Sequence, residues 1–81
     1  AIKVYPNPSN GFITLNITDE NKIGTVQVEV YDITGKVVYH NNFSGANTVQ
    51  EQIDLSKLNN GMYFLRTNIN GKNTIQKVTI R

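Results

Sequence analysis

Cysteine and tryptophan are absent from the 81 residues, which hold one histidine, one methionine and two prolines. Without cysteine there is no disulfide and no thiolate for a metal or substrate, and redox chemistry leaves an oxidising compartment as open as a reducing one. Long apolar runs are missing too. The longest, Met62-Tyr63-Phe64-Leu65, falls far short of the roughly 20 residues that cross a bilayer, and Ala1-Ile2-Lys3 has no signal-peptide core, so no direct membrane insertion is expected. Charge of one sign is scarce: eight Lys and Arg against six Asp and Glu leave +2, too small an excess to suggest nucleic acid.

What the sequence does hold is alternation. In Thr25-Val26-Gln27-Val28-Glu29-Val30-Tyr31 every second residue is Val, which turns a β-branched row to one face and leaves Gln27 and Glu29 to water. Ile13, Leu15 and Ile17 repeat the pattern, as do Val78 and Ile80; no stretch has helical spacing. Turn residues at Pro6, Pro8, Asn10-Gly11, Gly24, Thr34-Gly35, Gly45, Asn59-Asn60-Gly61 and Asn70-Gly71 divide the chain, predicting strands near 2–5, 12–17, 25–31, 37–43, 48–54, 62–68 and 74–80. One domain, 1–81, has room for a small core whose net stability is on the order of 3–5 kcal/mol. Because it opens with a strand pattern already under way, the chain is expected to be a module cut from a longer polypeptide.

Two hairpins can be registered. Asn70-Gly71 suits a type I′ turn, whose central residues both need positive φ, and a two-residue loop there sets Arg66 opposite Ile75, Phe64 opposite Lys77 and Tyr63 opposite Val78. Tyr63, Leu65, Val78 and Ile80 then form the core face, and Met62, Phe64, Arg66, Ile75, Lys77 and Thr79 the outer one. Asp32-Ile33-Thr34-Gly35-Lys36 fits a three-residue loop with Gly35 in the left-handed region, which sets Val30 opposite Val38 and turns Tyr31, Val37 and Tyr39 away from the Val row. Leu58, Gly61 and Tyr63 have the spacing of a tyrosine corner, in which a buried Tyr bonds by its hydroxyl to backbone a few residues upstream. Strand count and corner predict an all-β fold, an immunoglobulin-like or fibronectin-like antiparallel β-sandwich of about seven strands; a small barrel is the alternative.

Chemistry-bearing residues are few. His40 stands alone, on the predicted face of Val38, and a single His without Cys reads as a strand residue. Ser9 and Ser56 lie in turns, outside any Gly-x-Ser-x-Gly elbow. Asp19-Glu20-Asn21 lacks the alternating oxygens of a calcium loop and reads as a solvated hairpin tip, and Asp54 as a turn cap. No enzyme, cofactor or metal is expected. Tyr31 and Tyr39 could form a sugar-binding strip, although cross-strand packing explains both. The apolar outer face of the last hairpin is the stronger signal, since small monomers seldom expose such a patch without a partner.

Val4-Tyr5-Pro6-Asn7-Pro8 with Gly11, then Val30-Tyr31-Asp32-Ile33-Thr34-Gly35-Lys36-Val37-Val38, Ile53-Asp54-Leu55-Ser56-Lys57-Leu58, Gly61-Met62-Tyr63-Phe64-Leu65 and the closing Lys77-Val78-Thr79-Ile80-Arg81 resemble, in order and spacing, the C-terminal sorting domain (type A) of type IX secretion cargo. The resemblance implies a sandwich at the C-terminus of a larger protein of a Bacteroidetes-type bacterium. The parent would reach the periplasm by an ordinary signal peptide and pass the outer-membrane translocon to the cell surface or the medium. The implied partners are the type IX translocon, outer-membrane shuttle proteins and a sortase-like peptidase that removes the domain and joins the cargo to a lipopolysaccharide anchor.

The family's signal positions carry over to Gly35, Lys36, Val37, Gly61, Tyr63, Lys77, Val78, Ile80 and Arg81. Gly35, Gly61, Tyr63, Val78 and Ile80 have structural readings of their own, as turn, corner and core. That leaves Lys36, Lys77 and Arg81 as exposed candidates, which with Met62, Phe64 and Ile75 of the apolar outer face are the expected recognition residues, on a monomer whose last strand is an edge with unpaired backbone groups. A β-sandwich adhesion or carbohydrate-binding module is the alternative function.

Overall fold

The structure, a computed structural model, describes residues 2–19, 23–45 and 47–81. Its strands are β1 (Ile2–Tyr5), β2 (Phe12–Thr18), β3 (Gly24–Tyr31), β4 (Val37–Gly45), β5 (Thr48–Asp54), β6 (Gly61–Ile69) and β7 (Lys72–Ile80). The alternating sequences bury as period two requires. Ile13, Leu15 and Ile17 of β2, Val26, Val28 and Val30 of β3, Tyr63 and Leu65 of β6, and Val78 and Ile80 of β7 all lie in one core with Val49, Ile53 and Leu55. Each such aliphatic side chain contributes on the order of 1.5–3 kcal/mol by leaving water.

The core separates two sheets, one of three strands in the order β1-β2-β5 and one of four in the order β4-β3-β6-β7, with every pairing between strands antiparallel. This is a sandwich rather than a barrel. With β4 beside β3 in the larger sheet, it is the fibronectin-like form of the immunoglobulin fold. One expectation fails here: β2 pairs with β5 and β3 with β4 and β6, so the chain after Asp19 crosses between sheets and is no hairpin tip. Glu20 and Asn21 of that segment lie outside the described residues. Asp19 itself is tied to Asn47, whose carbonyl accepts its N–H at 3.0 Å.

At the last hairpin the expected register is observed, with Tyr63 opposite Val78, Phe64 opposite Lys77 and Arg66 opposite Ile75. Asn70 and Gly71 adopt φ of 52° and 84°, the left-handed pair that a type I′ turn requires. The β3–β4 hairpin departs from expectation. Its loop closes as foreseen, with Asp32 N–H bonded to the Lys36 carbonyl at 3.0 Å and Gly35 at φ 88°, but the register slips between Val30 and Tyr31, setting Val30 opposite Tyr39 and Tyr31 opposite Val37. Val38 is the extra residue of a β-bulge, and a bulge reverses the facing of everything beyond it. Tyr39 and Phe43 therefore turn inward against the core, and His40 lies opposite Glu29, exposed on the outer face.

Candidate functional site

The outer face of the terminal hairpin belongs to a wider surface, because β6 also pairs with β3. Phe64 sits between Tyr31 and Lys77, and Arg66 between Glu29 and Ile75, each pair in direct register. Glu29 Oε1 accepts from the Tyr31 hydroxyl at 2.9 Å and from Arg66 Nη2, with which it forms an ion pair. The Arg66 guanidinium also lies 5.6 Å from the centroid of the Tyr31 ring, within cation–π range. Arg66 is thus compensated within its own sheet. Lys77 and Arg81 are exposed, and among the described residues neither has an ion-pair partner.

Apolar side chains fill the rest of this face. Ile75 is 64% exposed and Met62 44%, while Phe64 is half-buried. Ile33, at the tip of the β3–β4 loop, is 75% exposed. With Asp32, Asn60, Gly61, Met62 and Tyr63 it lines a shallow hollow of about 200 Å³. The sequence reading missed Ile33 as part of the patch, although an Ile inside an Asp-x-Thr-Gly turn, where polar residues are the rule, is itself a signal. Among the expected recognition residues the register brings Phe64 and Lys77 together, with Met62 and Ile75 on the same face. Lys36 stands apart, in the β3–β4 loop.

That loop and the one after β5 are held by the same device. Asp32 Oδ1 accepts from the Thr34 hydroxyl at 2.6 Å, Thr34 N–H at 2.9 Å and Lys36 N–H at 3.0 Å. The Thr34 hydroxyl first, then Lys36 N–H, favour the ionised carboxyl and hold it below its ordinary value. Asp54 is likewise lowered, by the Ser56 hydroxyl first and then Ser56 N–H, at 2.5 and 2.9 Å. The Asp32 turn presents Lys36 and Ile33 in a set geometry. At the same end of the sheet Tyr63, 8% exposed, anchors the start of β6 with its hydroxyl on the Asn59 carbonyl at 2.7 Å.

The edge of β7 is not open along its length. Asn7 Nδ2 donates to the Lys77 carbonyl at 2.9 Å and Thr79 N–H to Asn7 Oδ1 at 3.0 Å. Ser9 N–H donates to the Thr79 carbonyl and Arg81 N–H to the Ser9 carbonyl, both at 2.9 Å, a short parallel bridge. The expected row of unpaired groups is therefore covered over 77–81 by residues 7–9. Alternate residues of an edge strand turn their backbone groups outward. These bonds mark the odd-numbered residues, which leaves Asn73 and Ile75 as the uncovered part, with no outward hydrogen bond among the described residues.

The bulge dissolves the proposed sugar-binding strip, because Tyr31 faces outward opposite Phe64 while Tyr39 turns inward beside Val30. A family model described as the secretion system C-terminal sorting domain matches residues 3–81. No curated protein matches the chain.

Proposed function

Because the chain belongs to the family of secretion system C-terminal sorting domains, we propose that it is read in the folded state by the type IX outer-membrane translocon and its shuttle proteins through the outer face of the β6–β7 hairpin. Ile75 and Met62 supply apolar area, and Phe64 extends it toward Lys77. Lys77 and Arg81 choose the partner and its register more than they add affinity. Lys36, presented by the Asp32 turn, is the next candidate contact. The domain travels through the periplasm as a monomer and is then removed by a sortase-like peptidase acting upstream of β1. The observation that carries this reading is the exposure of Ile75 and Met62 beside two cations without ion-pair partners among the described residues. A small domain rarely leaves such a patch without a use.

Export of a fluorescent reporter fused to this chain, in a host with type IX machinery, tests it. Lys77→Ala with Arg81→Ala keeps every backbone bond of the β7 edge and should change stability by no more than about 0.5 kcal/mol. The reporter should then accumulate in the periplasm. Normal export of the double variant would move recognition to the Lys36 loop.

A further inference from the structure

We propose that the 77–81 part of the β7 edge is a strand-addition site for an extended, carboxylate-bearing peptide segment, and that residues 7–9 are its internal and displaceable occupant. The inference rests on the reading of the terminal hairpin as the recognised element. Purified chain and synthetic peptides test it apart from export.

The covering segment behaves as a substitute strand. Pro8 has no N–H to give, so the Asn7 carboxamide takes the place of a peptide group, offering its Nδ2 to the Lys77 carbonyl and its Oδ1 to Thr79 N–H. Ser9 completes the pattern with its own N–H and carbonyl. The edge has accepted a partner in strand geometry, but a short one. Pro6, Asn7 and Pro8 are exposed, and only Ser9 is buried. An outside segment could occupy these positions and continue along the free groups of Ile75 and Asn73, gaining ladder bonds that the internal segment cannot make.

Charge identifies the occupant. Lys77 and Arg81, four residues apart, lie along this edge on one face, and neither β7 nor residues 6–10 contain an acidic side chain. The internal segment leaves these cations uncompensated. A second copy of β7 would set cations against cations, since like charges facing across a ladder repel. A strand with Glu or Asp at alternate positions would meet them with opposite charge.

The test measures binding of two labelled peptides, one of alternating Val and Glu and one of alternating Val and Lys, to the 81-residue chain by fluorescence anisotropy, with amide exchange followed by NMR. Asn7→Ala should speed exchange at Thr79 and Arg81 by about tenfold, as expected when a local opening is made easier. It should also tighten binding of the Val-Glu peptide several-fold, with weak binding of the Val-Lys peptide throughout. Lys77→Glu with Arg81→Glu leaves residues 7–9 in place and should reverse the preference, which keeps the test decisive if Asn7→Ala folds poorly. Equal binding of both peptides, binding indifferent to Asn7→Ala, or dimers in sedimentation as the occupant of the unmasked edge would each overturn the proposal.

Discussion

The Tyr63 hydroxyl donates to the Asn59 carbonyl at 2.7 Å, closing an arch over residues 59–63 that fixes where β6 begins. The ring lies in the core with Leu65 and Val78, while Asn59 is exposed. Tyr63→Phe keeps the ring and removes only the bond, so it should cost about 1 kcal/mol. In a domain of this size that lowers the melting temperature by roughly 4–8 °C. Thermal unfolding followed by circular dichroism measures it. An unchanged melting temperature would mean that the arch is held by the ring alone.

Gly11 and Gly35 both have positive φ, 110° and 88°, yet their surroundings differ. A Cβ on Gly11 would stand 2.8 Å from Ser56 Cα, whereas one on Gly35 would meet nothing within 4 Å. Gly35→Ala should therefore cost about 1 kcal/mol, the usual penalty of the left-handed region. Gly11→Ala should cost distinctly more, because backbone must move as well. Urea unfolding of the two variants compares them directly.

Thr67 lies in β6 at 1% exposure, and its hydroxyl has no hydrogen-bond partner among the described residues. Thr67→Val preserves shape and β-branching while removing a buried polar atom. It should stabilise the fold by about 1 kcal/mol. A fall in the urea midpoint would show that the hydroxyl is satisfied in solution.

Acid should loosen the two loops held by Asp32 and Asp54. Both carboxyls are lowered when folded, so their contribution is present above the ordinary unfolded value and is lost as pH falls through the folded one. Stability should be level from neutrality to about pH 5 and decline below about pH 4. Asp32→Asn with Asp54→Asn keeps an accepting oxygen in each turn and removes the titration. Urea midpoints across this range should fall less steeply for that double variant than for the parent.

Strand positions, the Asn70-Gly71 register and the tyrosine corner were legible because each is governed by residues close in the chain. A period of two decides which side chains meet the core, a left-handed pair decides one turn, and the spacing of Gly61 and Tyr63 decides one arch. The Val38 bulge was not legible. Val37, Val38 and Tyr39 are all apolar, so alternation carries no phase there, and packing against the second sheet turned Tyr39 inward and His40 outward.

The outer face of the last hairpin was legible in its apolar part, Met62, Phe64 and Ile75, once that hairpin was registered. Lys77 and Arg81 were legible there too, but the Glu29–Arg66 pair was not, since it joins residues 37 apart and exists only because β3 neighbours β6. The cover on β7 lay further beyond local pattern: Asn7 and Thr79 are 72 residues apart. The sequence by itself determined the strands, their turns and the inward face of most of them, all settled by steric and solvation preferences of neighbouring residues. Which strands became neighbours, and which edge was left free, was decided by the closing of two sheets over one core, where the burial of many side chains outweighs any local preference.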